Sequence, residues 1–339
     1  MRKGLIVLIS IYLLGCERRD PFPTPETTVV EGLEIELIEI TIPSVISSID
    51  FTSELTGYAG ARNGLVYKTT NGGESWSEFQ TNNTFPITSI QFLNESEGWA
   101  LLGDKDCVDD VCMPSPAILH TENGGQNWET LDPKLLKATP QAIHFVNFNL
   151  GFVVGSNFIL RTKDGGTSWD ETKFEDLATS MWSVQFFDEQ HGIVSCWQKK
   201  ILVTSNGGDT WDTLSPFDPN ANRYSPSLVA NTAFMSSSNA LYTSSDYGQT
   251  WTKLTDINFG IDRLAFNSET TGFACGIGDH SGGDFGRFYA SLYYTRDGGQ
   301  SWKGTSTFHE IGPIRTSSFP SPTTFYATDG GTFVRIKFK

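Results

Sequence analysis

Six times this chain repeats an eight-residue phrase, Ser/Thr-x-Asp/Asn-x-Gly-x-(Ser/Thr/Asn)-Trp, and self-similarity at that spacing restricts it to stacked repeat units. The copies occupy residues 69–76, 121–128, 162–169, 204–211, 244–251 and 295–302. Successive closing tryptophans stand 52, 41, 42, 40 and 51 residues apart, the length of one four-stranded propeller blade with insertions.

The phrase has the chemistry of a tight β-hairpin turn. The side-chain oxygens of Asn71, Asn123, Asp164, Asn206, Asp246 and Asp297 can fold back onto nearby backbone N–H groups, and the glycines that follow accept positive φ without a Cβ clash. The closing residues Trp76, Trp128, Trp169, Trp211, Trp251 and Trp302 each anchor the next strand by burying a large ring. Asn replaces Asp in three of the six copies, which suits a neutral turn acceptor better than a metal ligand or a catalytic acid.

A second pattern precedes each box: an apolar strand ending in Phe, a short turn, then a Gly-led apolar strand. Phe51 before Gly57-Tyr58-Ala59, Phe92 before Gly98-Trp99-Ala100 and Phe145 before Gly151-Phe152-Val153 show it. So do Phe186 before Gly192-Ile193-Val194 and Phe266 before Gly272-Phe273-Ala274. Phe234 before Ala240-Leu241-Tyr242 reads as an abbreviated copy, and Phe319 before Phe325-Tyr326-Ala327 as a seventh copy with no box after it. Frequent short strands without helical periodicity indicate an all-β fold, and the regular period selects a seven-bladed β-propeller over a sandwich. The propeller is expected over residues 33–339, with 33–42 as the closing, outer strand of the last blade, where it covers an otherwise bare C-terminal edge.

The start of the chain carries the localisation. Arg2 and Lys3 form a positive segment, residues 5–14 an apolar one too short to span a bilayer, and Leu13-Leu14-Gly15-Cys16 resembles a bacterial lipobox. The expectation is a signal peptide over 1–15, lipid attachment at Cys16, and a tether over 16–32 stiffened by Pro21, Pro23 and Pro25. That makes the protein a membrane-anchored lipoprotein of a bacterial cell envelope, in the periplasm or at the outer membrane. The formal net charge of −15 repels phosphate backbones, so nucleic acid is disfavoured as a partner.

The third copy, Thr162-Lys163-Asp164-Gly165-Gly166-Thr167-Ser168-Trp169, matches the motif of the Asp-box (BNR) propellers almost letter for letter. Within that group, the run from Gly57-Tyr58-Ala59-Gly60 through Asn63-Gly64-Leu65-Val66-Tyr67-Lys68-Thr69 to Glu74-Ser75-Trp76 resembles the photosystem II stability/assembly factor-like family. The likeness extends over roughly residues 33–339. It implies a monomeric, non-catalytic scaffold that binds a membrane-protein partner during biogenesis, with no cofactor. The residues specify no photosynthetic partner in particular.

Cys107 and Cys112 lie five positions apart in an insertion, 103–116, where an oxidising compartment favours a local disulfide. A zinc pair competes with it, but no second Cys/His pair stands at ligand spacing. Cys196 and Cys275 fall on strands, as small buried thiols. The same insertion holds Asp104, Asp106, Asp109 and Asp110, which can be read as a calcium loop or as a solvated acidic one; without an EF-hand register the second reading leads, and no metal is assigned.

The insertions 103–116 and 276–288 join second to third strands, opposite the box turns, and 215–227 lengthens the approach to blade five. Long loops gathered on one rim mark a candidate binding face. It contains Arg223 and Tyr224, then Asp279, His280, Asp284 and Arg287. Counting back from the strand-ending phenylalanines adds Asp50, His144, Trp182, Asp262, Arg263 and Arg315 on strands expected to line the central channel, where arginines of neighbouring blades can clamp a carboxylate.

Asp boxes also occur in sialidases and xyloglucan-cleaving glycosidases, so a carbohydrate-active hydrolase and a glycan-binding lectin stand as alternatives. A sialidase-type Arg-Ile-Pro signature is missing, since Ile42-Pro43 lacks the preceding Arg. Two carboxyl groups placed across a sugar site cannot be identified either, with Asp262 and Asp284 not shown to face one another. No catalytic residue is assigned.

Overall fold

The computed structural model describes residues 26–30, 33–39, 42–103, 116–131, 139–174, 180–197, 200–214, 217–218, 224–237, 240–261, 263–277, 290–304 and 313–338. Each repeat folds as an antiparallel meander whose strands take the places that the sequence pattern assigns. In blade one the Phe-ending strand Ile46–Phe51 lies innermost, followed outward by Gly57–Ala61, Leu65–Thr69 and, after the box, Ser77–Gln80. Five further four-stranded sheets and one five-stranded sheet complete a seven-bladed, all-β propeller.

The last blade closes the ring with chain from the other end. Thr316–Ser321, Thr324–Thr328 and Thr332–Phe338 are joined by Leu33–Glu39, which pairs antiparallel with Thr332–Phe338 along its whole length. A second strand, Glu26–Val30, pairs outside it. This strand falls within the segment 16–32 expected as a tether, the rest of which lies outside the described residues. The seam carries an ion pair in which Arg335 Nε and Nη2 donate to Glu36 Oε2 at 2.9 and 2.6 Å.

Hydrogen bonds within the box explain its residue choices. In the first copy Thr69 Oγ1 accepts from Gly73 N at 2.9 Å, Asn71 Oδ1 accepts from Ser75 N at 3.0 Å, and Trp76 Nε1 donates to Gly73 O at 3.0 Å. Gly72 and Gly73 stand at φ 72° and 93°, where a Cβ is costly. The Thr/Ser-to-Gly and Asp/Asn-to-N–H bonds recur in all six copies.

The hydrophobic core lies between blades, as a ring of stacked aromatics. Tyr58 stacks on Phe92 of the next blade with centroids 3.4 Å apart, Trp99 on Phe145 at 3.7 Å, Phe152 on Phe186 at 4.1 Å and Tyr326 on Phe51 at 3.8 Å. The box tryptophan meets the same phenylalanine edge-on, as Trp128 meets Phe92 at 6.0 Å. The Gly that leads each second strand makes room: a Cβ on Gly98 would lie 2.5 Å from Cδ1 of Phe92.

Blade five departs from the expected alignment. Phe234 lies in the second strand, Thr232–Ser236, rather than ending the first, which is Ser225–Val229. It takes the second-strand aromatic position and stacks on Phe266 at 3.7 Å. Leu228 pairs with Ala233 where Phe51 pairs with Gly57, and it supplies no ring for Trp251; Phe217 from the preceding connection stacks on that indole at 5.3 Å instead.

Gly98→Ala is expected to destabilise the fold by about 1–3 kcal/mol in denaturant unfolding, because Phe92 must leave its stack. Gly260→Ala, with nothing within 4 Å of an added methyl, should leave the midpoint almost unchanged.

Candidate functional site

Strand register separates the two faces of the ring. Gly98 pairs with Thr121, so the first-to-second turn and the box share one face; Leu102 pairs with Ala117, so the second-to-third connections open on the other. The inner strands also begin on that second face. Arg263, Arg315, Val45 and Trp197 all stand there, at the ends of Arg263–Phe266, Thr316–Ser321, Ile46–Phe51 and Gly192–Cys196.

The structure brings the two expected arginines together on adjacent blades six and seven. Arg263 donates through Nε and Nη2 to the backbone carbonyl of Arg315, at 3.1 and 3.0 Å. Arg315 is exposed and donates through Nε to Asp329 O at 2.6 Å. Its stem passes over Gly330, where a Cβ would lie 3.2 Å from Arg315 Cδ and 2.8 Å from Val45 Cγ1. Val45 and Trp197 are 41% and 50% exposed, large apolar groups that belong to neither repeated motif. The signal for Trp197 is an aromatic directly after a strand end, outside the box register.

Other expected channel residues hold blades together. Asp50 Oδ2 accepts from Phe92 N at 2.7 Å, so the carboxylate bridges the inner strands of blades one and two. Burial pushes its carboxyl up to about 6, against the N–H groups of Phe92 and Phe51 and the Ser318 hydroxyl, which pull it down. Gln91 makes two bonds to the backbone of Phe145, Ser227 accepts from Phe266 N, and Ser318 accepts from Phe51 N, one blade to the next. His144 is kept neutral, its pKa pushed down to about 4 by burial, and stacks on Phe186 at 6.1 Å. Asp50 and His144 therefore serve the seams, and the arginines stand apart from them at the face.

Tyr224 does not belong to the binding face. It is fully buried, its hydroxyl donating to Asp218 O at 3.2 Å and accepting from Asp218 N at 3.1 Å. The connection that inserts Phe217 under Trp251 carries Tyr224 inward with it, ring against ring at 4.6 Å. Cys196 and Cys275 are buried, and burial pushes the Cys196 thiol up to about 12. Cys16, Cys107, Cys112, Arg223, Asp262, Asp279, His280, Asp284, Arg287 and the acidic run 104–110 lie outside the described residues.

Repeated Asp-box turns and seven sheets define an Asp-box propeller. The chain belongs to the Photosynthesis system II assembly factor YCF48 family, whose profile matches residues 28–142 and 134–262; the BNR/Asp-box repeat profile matches 293–303. It is 23% identical over 178 residues to the Photosystem II assembly lipoprotein Ycf48 of Synechococcus sp. (strain CC9902), across 49% of this chain and 46% of that protein. The chain thus spans about half the length of the curated relative it matches. Among solved structures, YCF48 bound to D1 peptide is similar with a TM-score of 0.70 and 17% identity, over 93% of this chain and all of that one. YCF48 from Cyanidioschyzon merolae follows at 0.66 and 19%, over 90% of this chain and 98% of that one. A streptogramin B lyase reaches 0.67 at 9% identity, over 91% and 98%, so the shape alone does not select a chemistry.

The Asp50 carboxyl gives a pH test. The folded group titrates near 6 and its ordinary value is 3.8, so the folded state holds the extra proton between them. The ionised group therefore costs stability above pH 6, up to about 3 kcal/mol, and the cost vanishes below pH 4. Asp50→Asn should raise the urea midpoint relative to wild type at pH 7.5, with the advantage gone at pH 4.

Proposed function

We propose that this propeller is a non-catalytic binding scaffold, held at a bacterial envelope membrane through a lipid on Cys16, which grips a segment of a membrane protein while that protein is assembled. The observation that carries the reading is the family match over residues 28–262, most of the described ring. Two relatives add support: one named as an assembly lipoprotein, the other solved with a bound peptide. The face opposite the boxes suits such a role, because exposed Arg315 offers charge beside apolar Val45, and Trp197 adds exposed aromatic surface. No observation favours the hydrolase or the lectin.

Crosslinking in intact envelopes followed by affinity purification tests the scaffold. A specific membrane protein should be recovered with the wild-type chain, and its yield should drop at least tenfold with Arg263→Glu/Arg315→Glu while the unfolding midpoint stays within reach of wild type. Equal recovery with the double variant would remove the arginines from the site, and recovery of no membrane protein would sink the scaffold reading. Cys16→Ser should move the chain from the membrane to the soluble fraction.

A further inference from the structure

We propose that blade two carries a divalent transition-metal site on the box face, built from Glu97, His120 and Glu122, with Glu129 orienting the imidazole. The starting point is one repeated position, the third-strand residue opposite the second-strand aromatic. It holds Lys68, His120, Arg161 and Arg335 in blades one, two, three and seven.

The three long cations there reach the next blade. Lys68 Nζ donates to Glu95 O at 3.4 Å, Arg161 Nη1 to Gly207 O at 3.0 Å and Arg335 Nη1 to Gly72 O at 3.4 Å. In blade two that bond is made by Trp99, whose Nε1 donates to Gly165 O at 3.3 Å. His120 is thereby released from the seam. Its ring lies on Trp99 with centroids 4.9 Å apart, it is only 7% exposed, and both ring nitrogens face carboxylates.

The combination of all three carboxylates is particular to this blade. Glu97 precedes the second strand, Glu122 is the second residue of the box, and Glu129 opens the fourth strand. The same places hold Thr56, Thr70 and Ser77 in blade one, and Leu150, Lys163 and Asp170 in blade three. One imidazolium balances at most one of three carboxylates. Among the described residues no Lys or Arg forms an ion pair with any of the three. A divalent cation would add charge at a cluster where solvent alone faces exposed Glu122 and Glu129.

Geometry favours Nε2 as the ligand. Glu129 Oε1 lies 3.1 Å from Nδ1 and can hold a proton there, so a metal ion would take Nε2 by displacing the proton that Nε2 donates to Glu97. Nε2 then faces Glu97 Oε1 at 2.6 Å, and the ligand atoms of Glu97, His120 and Glu122 lie within 4.8 Å of one another. With bonds of about 2 Å, two ligands of one zinc ion stand no more than roughly 4 Å apart, so exposed Glu122 must swing inward and Glu97 ease back slightly. One imidazole with two carboxylates suits Zn²⁺ and leaves a position for water.

Isothermal titration of the chelator-treated chain with ZnCl2 is the test. One zinc per chain is expected, with affinity at least tenfold weaker in Glu122→Gln, whose exposed site leaves folding intact, and in Glu97→Gln. Glu129→Gln should weaken binding by about ten- to a hundredfold, and Cys107→Ser/Cys112→Ser should bind like wild type. No uptake would mean that His120 is a protonated ion-pair partner and overturn the site. Uptake unchanged in both Glu97→Gln and Glu122→Gln, or lost in the cysteine variant, would place the zinc elsewhere and overturn it too.

Discussion

The seven sheets are hydrogen-bonded ladders complete in themselves, so the ring holds together through side chains passed from one blade to the next. The central contact is an aromatic laid flat on the strand-ending phenylalanine of its neighbour, with centroids 3.4–4.1 Å apart at Tyr58, Trp99, Phe152, Phe234 and Tyr326. Such pairs add about 0.5–1.5 kcal/mol each beyond the area they bury. Flat stacking leaves no space for a Cβ beneath the phenylalanine, which is why Gly57, Gly98, Gly151, Gly192 and Gly272 lead their strands. Where the phenylalanine is missing, at Leu228, the fold draws Phe217 in from a connecting segment and Tyr224 follows it. A segment that looks like a binding loop is thus consumed by the core.

The same division of labour governs the polar groups of the channel. Innermost strands of neighbouring blades do not share a regular ladder, and their N–H groups would be left without partners. Asp50, Gln91, Ser227 and Ser318 supply those partners, at a cost in burial that shows in the raised Asp50 carboxyl. Chemistry available to a ligand is therefore pushed to the strand ends. On the face opposite the boxes the connections vary in length from blade to blade, and Arg315 and Trp197 emerge into solvent there.

What is legible in the sequence follows the range of the interaction that encodes it. Box bonds join residues at most four apart, so Thr69, Asn71, Gly73 and Trp76 announce their geometry directly. The closing strand is legible as an extended segment belonging to no other blade, although its ion pair joins Glu36 to Arg335 across the whole chain. Phe234 reads into the wrong strand because its partner, Phe266, lies in the next blade, and spacing within one blade does not record that contact. Glu26–Val30 is hidden among polar and proline residues, and only pairing with Leu33–Leu37 reveals it. Counting from the phenylalanines finds Arg263 and Arg315, but does not separate Asp50 and His144, which the seams use, from residues that face outward.

Repetition offers one more reading that a single blade does not. Because every position has counterparts in other blades, a residue that departs from its column is either repairing the ring or has been released from it. Phe217 repairs: it fills the place of an absent ring. His120 is released, since Trp99 has taken over the bond to the following box that Arg161 makes in the next blade. It also lies toward the opposite end of its five-residue strand from the arginine face, three residues or roughly 10 Å beyond Ala117. A cation there would brace the seam between blades two and three through Trp99, and partner binding at the other face would not depend on it.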